Sequence, residues 1–196
     1  MTGGYLKGRI RREDILAAAV AVYGEAGYHG SSLRAVAKRA GITHAGLLYY
    51  FPTKEALLAA VLERRDADDA EREQLGAPPG LDVLRHFIAL AEHNVAHPGI
   101  VDLYSRLAAE AVAPDHPAHA YFVRHYRLAR DAACESFQVL ADGGQLRAGV
   151  APTVAALTFI ALMDGLQVQW LTTPADVDLV GSLRAYLDAV LTVPLG

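Results

Sequence analysis

The sequence predicts an all-α fold of about nine helices, and three observations predict it. Apolar residues recur three and four apart along most of the chain. No alternating apolar–polar run of useful length appears, and no internal repeat. Glycine and proline divide the chain into helix-sized pieces at Gly27, Gly41, Pro52, the 76–80 run, Pro98-Gly99, the 114–117 run, Gly143-Gly144 and Pro174.

Residues 1–8 hold three glycines and read as disordered. Lys7, Arg9, Arg11 and Arg12 make a basic stretch that suits phosphates or a minor groove, or equally a solvated tail. The first helix is expected over 10–26, with Ile15, Ala19, Val22 and Ala26 on one face, Leu16 and Tyr23 beside them, and Gly27 as C-cap. Ser32 is an N-cap, and Leu33, Val36 and Ala37 follow at helical spacing. Gly41 sits where that helix must stop and the backbone needs positive φ. Thr43 caps the next helix, 44–50, whose Leu47, Tyr50 and Phe51 face inward while His44, Ala45 and Leu48 share an outward face. Pro52 ends it, and Thr53 caps a helix over 53–75. That helix starts apolar (Ala56, Leu57, Ala60, Val61) and turns densely charged, with i,i+4 pairs such as Asp68–Arg72.

The run Gly76-Ala-Pro-Pro-Gly80 is the clearest break. Gly80 or Asp82 caps a helix over 81–97 that buries Leu84, Phe87, Ile88, Ala91 and Val95. Further helices are expected over 100–112, 117–141, 152–171 and 175–192, with Gly143-Gly144 and Gly149 marking the loop before the third of these.

Two helices of two turns joined by a glycine-containing turn match a helix-turn-helix, whose second helix enters the DNA major groove. Within residues 15–58, Gly27-Tyr28, Ser31-Ser32, Val36-Ala37, Ala40-Gly41-Ile42-Thr43, Phe51 and Lys54-Glu55-Ala56-Leu57 stand at fixed spacings. This stretch resembles the DNA-binding domain of TetR-family transcription regulators. The resemblance implies a DNA-binding domain with its arm over 1–53 and a ligand-binding and dimerisation domain over 54–196. It implies that His44, Ala45 and Leu48 face base edges and that Thr43, Tyr49 and Lys54 approach phosphates. Arg34 then reaches a base or a phosphate, and Ser32 and Gly46 complete the DNA-facing set. Chemically, His44 can donate to guanine N7 or O6, Ala45 and Leu48 offer only apolar contact to a thymine methyl, and Arg34 can make a bidentate guanine contact. Lys54 and the amides beside it suit a phosphate. Leu48 departs from the family, which very often has Tyr there, and Gly46 stands where Thr or Ser is common. The reading face is therefore poor in hydrogen-bond donors, and Tyr49, one residue on, lies about 100° around the helix from the missing tyrosine.

The net charge of −4 hides an asymmetry. Residues 1–60 carry eight Lys/Arg and four acids, so the rest carries ten and eighteen. A basic end on an acidic body suits a polyanionic partner, double-stranded DNA. The single Cys134 excludes an intrachain disulfide framework and reads as a buried apolar residue. The first ten residues lack a signal-peptide core, and no run of uninterrupted apolar residues is long enough for a membrane span. A cytoplasmic protein with no membrane partner is expected.

The last two helices are too apolar to face solvent. Leu157, Ile160, Ala161, Asp164, Gly165 and Val168 form one stripe, and Val180, Leu183, Leu187 and Val190 another. The resemblance implies that these two helices pair with their symmetry mates. The expected homodimer interface is Leu157, Ile160, Ala161, Asp164 and Val168 with Leu183, Leu187 and Val190. Phe87, Tyr104, Leu107 and Tyr121 are large apolar groups with some polar tips, as are His125, Met163, Gln167 and Trp170. Together they suit a small-molecule cavity, in which the family commonly receives its inducer, here an apolar or amphipathic effector. His93 and His97 share a helix face, but a metal site needs further ligands, so the histidines read as scattered surface groups and no metal or cofactor is expected. No phosphate-binding glycine loop, nucleophile elbow or His-Glu-x-x-His occurs, and no enzyme is expected. The sequence thus predicts a ligand-responsive repressor that binds a pseudo-palindromic operator as a homodimer. The alternatives are a regulator without a small-molecule ligand, and a ligand carrier or enzyme that retains a helix-turn-helix.

Overall fold

The computed structural model describes the backbone of residues 2–72 and 78–196, and the side chains of 10–65 and 78–196. The Lys7 and Arg9 side chains, the Asp68–Arg72 pair, the end of the expected 53–75 helix from residue 73 and the 76–77 part of the break lie outside the described residues. Those described form nine α-helices: α1 Thr2–Gly30, α2 Leu33–Arg39, α3 His44–Tyr50, α4 Lys54–Arg72, α5 Leu81–Ala96, α6 Pro98–Glu110, α7 His119–Asp142, α8 Pro152–Thr172 and α9 Leu179–Val190. The only strand-like pairing among them is an isolated antiparallel bridge between Leu146 and Leu191.

The chain forms two compact units. The first joins Met1–Ala70 to Asp102–Tyr121, and the second joins Glu71–Val101 to Phe122–Gly196.

In the first unit, Ile15, Leu16, Tyr23, Val36, Leu47, Leu57, Leu58, Leu103 and Leu107 are fully buried. α1 is helical from Thr2, so the glycines of 1–8 do not keep that segment out of a helix as expected. At Gly27 the helix breaks, with φ 68° and ψ 172°. This positive φ suits glycine and turns Tyr28, which is 4% exposed, inward. Tyr28 fills the place expected of Ala26, which is exposed.

In the second unit, Phe159 of α8 packs edge-on against Phe87 of α5 (ring centroids 5.7 Å apart) and Phe137 of α7 (6.4 Å). Its other side stacks on Tyr186 of α9, whose hydroxyl donates to the Ala155 carbonyl at 2.8 Å. Leu84, Ile88, Leu140, Leu183, Leu187 and Leu191 close around this aromatic centre. The buried stripe of α5 ends on Asn94, whose carbonyl accepts the His97 amide. Val95, expected in the core, is exposed because the stripe advances 84, 87, 91, 94.

Proline and cap chemistry move two helix starts. Pro98 opens α6 rather than breaking the chain before it, since its fixed φ and missing N–H suit the first helical position. α9 starts at Leu179, because the Asp178 carboxylate accepts the Gly181 amide at 2.8 Å and sets the cap there.

Candidate nucleic-acid interface

α2 and α3 are each seven residues long, too short to be stable alone, so their ends and their buried faces must hold them. Ser32 caps α2 by accepting the Ala35 amide at 3.2 Å. At its other end the Ile42 amide donates to the Ala37 carbonyl (3.0 Å) and the Gly41 amide to the Lys38 carbonyl (3.3 Å). These two bonds, with Gly41 at φ 65°, are a Schellman motif. Thr43 then caps α3 by accepting the Gly46 amide at 3.0 Å. Leu47 is fully buried and Phe51, the C-cap, nearly so. The turn is thus closed by local chemistry, and one leucine and one phenylalanine seat α3.

That seating decides what α3 shows to solvent. Ala45 is exposed, Leu48 is 37% exposed and Tyr49 85%, while His44 and Gly46 are half-buried. Tyr49 meets Tyr50 edge-on, ring centroids 5.3 Å apart, which holds its ring without hiding it. A Cβ on Gly46 would stand 3.1 Å from the Thr43 hydroxyl, so glycine here leaves room for the cap. On α2, Ser32, Arg34 and Lys38 are exposed. Arg39 is instead tied to Glu25, Nη1 to Oε1 at 2.5 Å, and the Arg12 guanidinium lies over the Phe51 ring. Residues 32–49 therefore offer a surface with Arg34 and Lys38 as exposed cations and an apolar-aromatic ridge on α3.

Lys54, which the resemblance places near a phosphate, is also engaged within the chain. Its Nζ donates to the Ser31 carbonyl at 2.7 Å and lies 4.3 Å from the centre of the Tyr28 ring. Burial lowers its pKa, against the opposing pull of Glu55 and Glu110. The Tyr28 hydroxyl donates to Glu55 Oε1 at 3.1 Å, and the Ser31 hydroxyl donates to the Tyr28 carbonyl at 2.6 Å. Burial and then the Glu55 bond push the Tyr28 phenol up. Glu55 is held below the usual carboxylate range, first by its own amide and then by the Thr53 and Tyr28 hydroxyls. Lys54, Tyr28, Ser31 and Glu55 thus clamp the start of α4 to the segment between α1 and α2. No spacing rule in the sequence pointed to this clamp, although Tyr28 and Lys54 were both singled out.

The other expected site residues divide between the units. Tyr104, Leu107 and Tyr121 are buried in the first, where Tyr104 packs against Tyr121 and carries the Arg65 guanidinium 3.6 Å from its ring centre. Phe87, Met163 and Trp170 are buried in the second, with His125 and Gln167 half-buried there. The expected interface residues also separate. Leu157, Ala161 and Val168 are exposed, and Asp164 and Val190 are half-buried. Leu183 and Leu187 have no exposed surface and Ile160 has 7%, so they belong to the chain's own core and leave nothing for a second chain to cover. Cys134 is half-buried rather than buried.

Comparison with known proteins bears on both units. Residues 15–61 match the family described as "Bacterial regulatory proteins, tetR family", and residues 83–192 match "BetI-type transcriptional repressor, C-terminal". The HTH-type transcriptional regulator RutR of Escherichia coli K12 is 44% identical over 54 residues, 28% of this chain and 26% of that protein. The fatty acid metabolism regulator protein of Bacillus subtilis is 34% identical over 92 residues, 42% of this chain and 47% of the other. The chain therefore spans half or less of the length of these curated relatives. Among solved structures, the complex of SmeT with triclosan matches with a TM-score of 0.77 at 23% identity, over 95% of this chain and 94% of that one. SmeT is the repressor of a Stenotrophomonas maltophilia multidrug efflux pump. That likeness extends to the fold of the whole chain what the N-terminal matches give locally. With its C-terminal match alone spanning more than half its length, the chain belongs to the TetR family of bacterial regulatory proteins.

Proposed function

We propose that the chain is a ligand-responsive transcription regulator, a repressor, that binds pseudo-palindromic operator DNA as a homodimer. The observation that carries the reading is the surface of the capped α2–turn–α3 pair. Leu47 anchors α3 while Ala45, Leu48 and Tyr49 stand out from it, with Arg34 and Lys38 also exposed on α2. In this reading α3 lies in the major groove, with Ala45 and Leu48 against thymine methyls and His44 at a purine acceptor. Arg34 reads a guanine, while Ser32, Thr43 and Tyr49 approach phosphates and position the helix. Lys54, already bonded to Ser31, contributes by holding the helix-turn-helix in place and only secondarily by charge.

Dimerisation is supported by α8. Val154 (61% exposed), Leu157 (47%), Ala161, Gly165 and Val168 (54%) make an apolar stripe of small and branched residues on its outer side. By length and composition α8 is the one described helix that could cross a membrane, yet its opposite side, with Ala156, Phe159 and Met163, is core. A second copy of the chain covers such a stripe at the least cost, and a two-fold dimer spaces two α3 helices for successive major grooves.

The effector we assign is apolar or amphipathic. The second unit gathers Phe87, Met163 and Trp170 in its core and holds Gln167 half-buried, side chains of the kind such sites use. The SmeT complex holds triclosan, a precedent in a protein of the same fold. A regulator of this family acts on DNA in the bacterial cytoplasm, and we place this one there.

The test is binding of the full chain to a labelled fragment from upstream of its own gene, measured by fluorescence anisotropy across a salt series. The expected result is sequence-dependent affinity that falls steeply as salt rises. Equal affinity for an unrelated fragment, or no salt dependence, refutes the reading.

A further inference from the structure

A cluster in the first unit is used by neither DNA nor the expected effector. His29, just past the Gly27 break, Glu110 at the end of α6 and His116 in the turn before α7 each offer one ligand atom, and these atoms lie within 4.8 Å of one another. His116 Nε2 stands 3.5 Å from Glu110 Oε2, with its side chain 1% exposed. It is a buried ring nitrogen with no hydrogen-bond partner among the described residues. The His29 and His116 rings meet edge-on at 76° with centroids 5.2 Å apart, and Tyr28 packs edge-on against both. We propose that His29, Glu110 and His116 form a binding site for a divalent transition-metal ion, with zinc the best-suited ion.

The geometry agrees with coordination chemistry. Two ligand atoms at tetrahedral zinc bond lengths stand about 3.4 Å apart, close to the separation of His116 Nε2 and Glu110 Oε2. Two imidazoles and one carboxylate are a borderline donor set that favours zinc over magnesium or calcium, and they leave a position for water. The partners are held in advance. The Tyr28 amide donates to Glu110 Oε2 at 3.2 Å and orients the carboxylate. The turn carrying His116 is fixed by its amide on the Ala113 carbonyl (3.1 Å) and by the His119 amide on its own carbonyl (2.9 Å). Gly27 makes the approach possible, since a Cβ there would stand 2.5 Å from Glu110 Oε1. His29 is exposed, so it serves as the entry side and can swing onto the ion.

One bond must change. The Ala118 amide donates to His116 Nδ1 at 3.1 Å, which leaves the neutral ring's proton on Nε2. When Nε2 takes the ion, that proton moves to Nδ1, and the Ala118 amide, which is buried, loses its acceptor and must find another. Metal uptake would therefore rearrange the 116–118 turn as well as join the end of α1 to the end of α6.

The experiment is calorimetric titration of the untagged full chain, stripped with chelator, with zinc chloride alone, followed by cobalt(II) absorption spectra. The expected result is one zinc per chain and visible cobalt bands of a four-coordinate site. His29→Ala, at an exposed position, should weaken binding about 100-fold or more. Glu110→Gln, which keeps an acceptor for Tyr28, should do the same. The competing site is the stacked pair His93 of α5 and His97, its C-cap, ring centroids 4.0 Å apart. His97→Ala should leave the titration unchanged. Absence of saturable zinc binding, unaltered binding in His29→Ala and Glu110→Gln, or its loss in His97→Ala overturns the proposal.

Discussion

α3 and α8 set opposite problems of side-chain assignment. α3 has seven residues, one of them fully buried, and its limits are written in its neighbours: Thr43 caps it, Gly41 turns the chain before it, and Phe51 closes it. α8 has 21 residues and is apolar nearly all round. On α3 the few apolar positions can point only one way, so periodicity separates inside from outside. On α8 the core stripe and the exposed stripe are both apolar. Phe159 and Met163 are core, while Leu157 and Val168 are surface. Local cap and turn chemistry therefore makes the α2–turn–α3 surface legible, whereas the second unit's faces are decided by which helix happens to lie against them.

Mutations can sharpen or break this contrast, taken from the largest expected effect on stability to the smallest. Leu187→Ala removes a fully buried side chain from α9 and should cost about 2–5 kcal/mol in chemical unfolding. A loss below about 1 kcal/mol would restore Leu187 to an interface. Lys54→Met keeps the stem over Tyr28 but removes the charged bond to Ser31, and should cost about 1.5 kcal/mol of stability. Unchanged stability with weakened DNA binding would return Lys54 to the role of a plain phosphate anchor. Gly41→Ala forces an alanine to φ 65° and should cost about 1 kcal/mol by thermal unfolding, with α3 retained. Arg34→Ala should leave stability within about 0.5 kcal/mol of the parent. It should relax base preference at one operator position by about 1–3 kcal/mol, read by competition with single-base variants. Val168→Asp, on the exposed stripe, should yield a folded monomer by light scattering and circular dichroism. A stable dimer from that variant would move the interface off α8.

These contrasts also mark what was legible. The helix-turn-helix was readable because Ser32, Gly41, Thr43 and Thr53 each act within three or four residues. All nine helices among the described residues were foreseen as elements, with starts displaced where Pro98 and Asp178 set the first turn. The clamp around Lys54 was not readable, because its acceptor Ser31 lies 23 residues away and is a backbone carbonyl. Nor was the meeting of His29 with Glu110, which depends on Tyr28 and Glu110 pairing across 82 residues. Leu183 and Leu187 carried a pattern that fits an interface and a core equally well, and only the position of Phe159 and its neighbours assigns them to the core.

The central claim is that two copies of α3 read adjacent turns of one DNA duplex. Hydroxyl-radical footprinting of the upstream fragment with the full chain tests it most directly. The account predicts two protected half-sites related by a dyad, with centres about 10 base pairs apart or at a multiple of that. A single protected half-site, or uniform protection without register, would contradict it.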